Sequence, residues 1–246
     1  MRSLSALELL KIWEWGRTQP TWSRVLKLLA TACPEMPMDK LTQFSIGQRD
    51  ALLITLRERM FGSQLLSQAT CPRCGECLEL KFSVADIRLV SPQAGFIDQI
   101  SLNVAEYEVS FRLPNSLDLI AIANCNPSVP VEEAFVKSCL LKVARWGEEL
   151  SVAQWPSHVV DVVVEQMAQA DPQANVQLDL SCPTCGHEWQ SLFDIVSFFW
   201  SEINAWACRI LREVHILASA YGWREADILA MSARRRQLYL EMVISR

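Results

Sequence analysis

Two copies of one short motif, Cys71-Pro72-Arg73-Cys74-Gly75 and Cys182-Pro183-Thr184-Cys185-Gly186, constrain this chain more than any other feature. In such a knuckle the first thiolate sits at a tight turn and the backbone amides that follow point at the sulfurs. The glycine takes the positive φ that a side chain resists. The likeness runs past the cysteines, since Leu78 corresponds to Trp189 and Phe82 to Phe193. Two knuckles supply the four thiolates of a tetrahedral zinc site. Yet 107 residues separate Cys74 from Cys182, several times the spacing inside an ordinary zinc ribbon. The expectation is a split ribbon in which Cys71, Cys74, Cys182 and Cys185 hold one structural zinc and a long insertion opens the middle. Four cysteines fill the tetrahedron and leave no position for a catalytic water.

Other uses of these cysteines fit less well. A redox Cys-x-x-Cys works at a helix N-terminus, whose dipole lowers the thiol pKa, whereas here each pair is followed by glycine and the first by strand-like residues. Cys77 is an alternative ligand to Cys74, but Glu188 stands at its place in the second copy, and His187 reads as a ribbon-turn residue. Cys33, Cys125, Cys139 and Cys208 are expected to pack as small apolar residues. Nine cysteines and an N-terminus broken by Glu8, Lys11 and Glu14 point to a reducing, cytoplasmic setting, in which closely spaced cysteines bind metal rather than form disulfides.

Half of the 246 residues are hydrophobic and 21% are charged, with a net charge of -5. That balance suits a folded globular protein and is a poor match to a phosphate backbone. No apolar run reaches the length of a membrane span. The residues to Gly62 carry nine basic and six acidic side chains, a mild basic bias.

The first region, 1–67, reads as helical: Leu4 to Trp15, Thr21 to Ala32, and a helix from Ser45 to about Met60, opened by the capping-box pair Ser45 and Gln48. A ribbon region, 68–193, follows. Leu78, Leu80 and Phe82 alternate as a strand should, as do Tyr107, Val109, Phe111 and Leu113. Helical patterning returns at Ser116–Ala123, Val131–Arg145 and Ser157–Gln169, before a brief strand at Val176–Leu180. The last region, 194–246, opens with a helix from Asp194 to about Tyr221. Its apolar stripe comprises Ile195, Phe199, Ile203, Trp206, Ile210, Val214, Leu217 and Tyr221. Gly222 caps it, and Trp223–Met231 and Ser232–Val243 read as two more helices. The fold class is mainly α with a small β element (α+β), and the three regions are expected to form one compact unit.

Catalytic signatures are missing. There is no phosphate-binding loop and no nucleophile elbow, and Ser191 stands where a zincin motif opened by His187-Glu188 needs its second histidine. His158 and His215 complete the small histidine set. Arg234-Arg235-Arg236 suggests a helix-turn-helix, but adjacent residues on a helix point in different directions, and the reading preferred is a solvated helix near acidic partners. Among the tryptophans, Trp13, Trp15, Trp22, Trp200 and Trp206 are candidates to anchor a partner.

The string Cys182-Pro-Thr-Cys-Gly-His-Glu-Trp189, with Phe193-Asp-Ile195, Phe199-Trp200, Glu213-Val-His215, Ala220-Tyr-Gly-Trp223, Ile228-Leu229 and Arg234-Arg-Arg-Gln-Leu-Tyr-Leu240, resembles a family encoded in contractile-tail gene clusters. Gly47-Gln-Arg-Asp50, Leu56-Arg57, Phe61-Gly62 and Phe111-Arg-Leu-Pro114 fit the same family. Its members are baseplate or baseplate-hub assembly proteins of contractile phages and phage-tail-like injection systems. The resemblance implies a non-enzymatic role, as an assembly chaperone or structural component of the baseplate hub, with hub or spike proteins as partners and no catalytic residues. A zinc-ribbon adaptor for nucleic acid is the alternative.

Overall fold

Ser5 and Ser45 each accept a hydrogen bond from the backbone N–H three residues on, while Glu8 and Gln48 reach back to the capping residue's own amide. These two capping boxes fix where the chain's first and fourth helices begin. A computed structural model describes residues 1–89, 99–123, 135–136, 138–151 and 154–245. The helices are α1 (Ala6–Gly16), α2 (Thr21–Ala32), α3 (Met38–Gln43), α4 (Ile46–Phe61), α5 (Val84–Ile87), α6 (Ser116–Ala123), α7 (Ser157–Ala170), α8 (Ile195–Tyr221), α9 (Glu225–Ala230) and α10 (Ala233–Ile244). Strands β1 (Gln64–Thr70) and β2 (Cys77–Ser83) form one antiparallel hairpin, and β7 (Gln177–Ser181) and β8 (Glu188–Leu192) another. Between them in sequence, β3 (Ile100–Val104), β4 (Tyr107–Phe111), β5 (Leu140–Arg145) and β6 (Glu148–Glu149) make a four-stranded antiparallel sheet in that order. The α+β expectation matches this architecture.

The chain divides into two compact units, one of Met1–Pro34 with Ile195–Arg246 and one of Glu35–Asp194. In the first, α8 buries Ile195, Phe199, Ile203, Ala207, Ile210, Val214 and Leu217. This is the stripe read from the sequence, except that Ala207 is buried where Trp206 was expected and Tyr221 at its end is only half-buried. Trp13 of α1 donates to Asn204 Oδ1 at 3.0 Å, and the Arg24 guanidinium lies 4.6 Å from the Trp200 ring. Gly222 takes φ 67° and ends α8 as a left-handed cap.

In the second unit β4 and β5 lay Tyr107, Val109, Phe111, Leu140 and Val143 against Val159 and Val163 of α7. The helix expected at Val131–Arg145 is corrected here: Leu140–Arg145 is a strand, residues 135–136 and 138–139 are helical, and 131–134 and 137 lie outside the described residues. The register of β4 against β5 shifts at Ser110/Phe111. That irregularity breaks the alternation of β5, whose buried residues Leu140, Val143 and Ala144 are spaced like a helix face. Six elements, α3, β1, α5, β3, β6 and β8, had no counterpart in the sequence reading, and β1 begins inside the region expected to be helical.

A polar hub after α7 ties the ends of this unit together. Asp171 accepts from the Gly47 N–H at 2.8 Å, at the first turn of α4. Gln173 donates to the Ile87 carbonyl at 3.0 Å and accepts from the Leu89 N–H at 2.8 Å, at the end of α5. A Cβ at Gly47 would lie 2.1 Å from Asp171 Oδ1 and 2.8 Å from the Ala174 backbone nitrogen, so only glycine permits this approach. The segment leading to the second knuckle is thereby fastened to the helices that flank the first.

Asp50 beside this hub is largely buried, and its carboxyl is pushed up to about 6. Burial is the main cause; the Arg49 guanidinium at 2.8 Å pulls the other way, and Asp194 and Asp171 add repulsion. The folded state therefore holds this proton more tightly than the unfolded chain, whose value is the ordinary 3.8. Stability from this group falls as pH rises from about 4 to about 6, by roughly 1–3 kcal/mol. Urea midpoints measured across that range are expected to show the decline in the wild type and to lose it in Asp50→Asn.

Candidate metal centre

Each knuckle is built the same way. The Cys71 N–H donates to the Glu76 carbonyl and the Gly75 N–H to the Cys71 carbonyl. In the second copy the Cys182 N–H donates to His187 and the Gly186 N–H to Cys182, with the same distances of 2.8 and 2.9 Å. Gly75 and Gly186 take φ 77° and 67°, the left-handed geometry for which glycine was expected. The knuckles sit at the tips of the β1–β2 and β7–β8 hairpins, whose last rungs are Thr70 with Cys77 and Ser181 with Glu188. Phe82 and Phe193, matched in the two copies, meet edge to face with centroids 5.5 Å apart.

All four sulfurs lie within 4.8 Å of one another. Cys71 Sγ is 3.7 Å from Cys185 Sγ, and Cys74 Sγ is 3.6 Å from Cys182 Sγ. A tetrahedral ion with thiolate bonds of about 2.3 Å requires sulfur–sulfur edges of about 3.8 Å. A disulfide requires about 2.05 Å. The spacing therefore fits four ligands around one metal and not a pair of disulfides. Cys71 and Cys182 are buried, Cys185 is half-buried and Cys74 is exposed. Cys77 is exposed and lies outside the cluster, and the His187 ring stacks on Trp189 at 5.9 Å.

The electrostatics suit a cation. Burial pushes the Cys182 thiol up, but the backbone amides of Cys185 and Thr184, with the neighbouring thiols, bring it down to about 7. At Cys74 the Glu76 amide favours the thiolate, yet desolvation and the three other thiols outweigh it and drive the group up to about 12. One negative charge settles at the expense of the next, and a divalent cation would remove that conflict.

Sequence reasoning missed the side chain that positions the first knuckle. Arg57 is the largest of the fully buried side chains, at 2% exposure. Its Nη1 donates to the Gly62 carbonyl at 2.7 Å and its Nη2 to the Gln64 carbonyl at 2.6 Å, pinning the turn from α4 into β1. An arginine amid the apolar positions of an amphipathic helix was the available signal.

Other candidates fall elsewhere. Cys33 and Cys139 are buried, Cys208 is exposed rather than packed, and Cys125 lies outside the described residues. Of the arginine triplet, Arg236 is buried and pairs with Glu213 at 3.0 Å and with the Met231 carbonyl, while Arg234 and Arg235 face solvent. The solvated-helix reading is thus corrected at Arg236. His158 is exposed and lies edge to face with the buried Tyr107 ring, and His215 is exposed. Among the described residues no helix is long and apolar enough to cross a membrane.

No curated protein and no solved structure matches the chain. The family model described as T4 bacteriophage base plate protein matches residues 6–200, a span that takes in α4, both knuckles and the whole inserted sheet. With most of its length so matched, the chain belongs to the T4 bacteriophage base plate protein family.

Proposed function

We propose that the protein builds the baseplate hub of a contractile tail, as an assembly chaperone or a structural component, through contacts with other baseplate or spike proteins and without catalysis. The observation that carries this reading is the family match over residues 6–200. Cys71, Cys74, Cys182 and Cys185 would hold a structural zinc. The donor set supports that identity: four thiolates in tetrahedral spacing favour zinc or an iron–sulfur centre, and the paired Cys-x-x-Cys-Gly knuckles are a zinc arrangement. Zinc there would link two hairpins far apart in sequence and hold the inserted sheet as a rigid platform, leaving no open coordination site.

The test is deletion of the gene in a host that produces the tail. Tails lacking complete baseplates, restored by the wild-type gene, are the expected result; normal tails after deletion would refute the role. Mass spectrometry of finished particles then separates a component, which is retained, from a chaperone, which is absent.

A further inference from the structure

One end of the four-stranded sheet concentrates features that the isolated protein does not need. The pairing of Tyr107 with Val104 and with Arg145, and of Arg145 with Glu148, brings the β3–β4 turn and the β5–β6 turn to the same end. Ala105 and Trp146, one in each turn, are the two non-glycine residues with positive φ among those described, at 50° and 51°. Strained backbone of this sort persists where the surroundings over-determine it, and it clusters at functional sites. Trp146 is also 80% exposed, more than any other large hydrophobic side chain described.

The indole is nevertheless held in place. The Arg145 guanidinium lies 4.3 Å from the Trp146 ring and 5.6 Å from the Tyr107 ring, and its Nη2 pairs with Glu106 at 3.0 Å. Arg145 Nε is buried in this stack with no hydrogen-bond partner. A rigid, pre-positioned aromatic in solvent is what interface anchors look like, because little side-chain entropy remains to be lost on docking. Glu106, Glu148 and Glu149 are exposed around it, and Glu106 already offsets Arg145. The tip therefore presents an apolar anchor in an acidic rim, which disfavours a phosphate-bearing surface and favours a basic one.

We propose that Trp146 is the docking element of this chain, inserting into an apolar pocket edged by lysine or arginine on another baseplate protein. The proposal rests on the baseplate reading above. A photocrosslinking phenylalanine analogue placed at position 146 and irradiated during tail assembly, with mass spectrometry of the adduct, identifies the protein in contact. Calorimetry then compares the binding of that purified protein to wild type, Trp146→Asn and the double variant Glu148→Lys/Glu149→Lys. The expected adduct is with one other baseplate protein. Trp146→Asn should weaken binding about 30-fold or more, with a thermal midpoint equal to or above wild type because asparagine tolerates the left-handed conformation. The charge reversal should weaken binding and remove most of its salt dependence.

An adduct with a second copy of this chain, a lipid or a nucleic acid would overturn the proposal, as would equal affinity of Trp146→Asn. If the wild type associates with no baseplate protein at all, the baseplate reading itself fails; if it associates and Trp146→Asn does so equally, only the docking site fails.

Discussion

Serine in place of Cys182 is expected to release the metal and abolish cooperative unfolding of the Glu35–Asp194 unit. Cys182 is one of the two buried cysteines of the cluster, at 1% exposure, and its sulfur faces Cys74 at 3.6 Å. Structural zinc contributes about 10–16 kcal/mol to folding in small zinc modules, and closing a loop of about a hundred residues is worth about 4.7 kcal/mol by the chain-entropy rule for cross-links. Here the sheet and α7 supply a core of their own, so the loss should be smaller than the first figure, about 5 kcal/mol or more. That matches or exceeds the whole stability of many domains. Elemental analysis and thermal unfolding should show the same result for Cys71→Ser. Cys77→Ser, at an exposed cysteine outside the cluster, should leave metal content and unfolding unchanged.

Arg57→Leu is expected to cost about 3–5 kcal/mol, read as a fall in the urea midpoint. The substitution removes the donors to the Gly62 and Gln64 carbonyls at a site with 2% exposure. Because the two carbonyls bracket the turn into β1, and β1 ends at Thr70 beside Cys71, the variant should also bind metal more weakly. Arg57→Lys should rescue little, since one ammonium does not reproduce a planar fork that spans two acceptors.

The contrast between Cys182 and Arg57 shows what the sequence reveals about such a site. The four-cysteine cluster was legible because the knuckle is a local object: two cysteines, a turn and a glycine at φ 77° or 67° lie within five residues, and the copy repeats the pattern. The helices that open at Ile46 and Ala233 were legible for a similar reason, since Ser45 and Ser232 each cap the helix that follows, whereas the Ser5 cap was passed over and the first helix was begun at Leu4. The elements that bring the knuckles together are non-local. Asp171 meets Gly47 across 124 residues, and nothing in either neighbourhood announces the other. Strand β5 was hidden because its register shift disguises the alternation. That error also obscured Trp146, which a helix ending at Arg145 would have left in an ordinary connecting loop. The basic triplet was legible in part: an acidic partner was expected and Arg236 meets Glu213 inside its own unit, but the burial of Arg236 was not expected.

The most direct test of a single four-thiolate centre joining the two knuckles is X-ray absorption at the zinc edge on the purified full-length protein, with metal quantified per chain. One zinc with four sulfur neighbours at about 2.3 Å is the predicted result. Absence of metal, or a first shell containing nitrogen or oxygen, would contradict it.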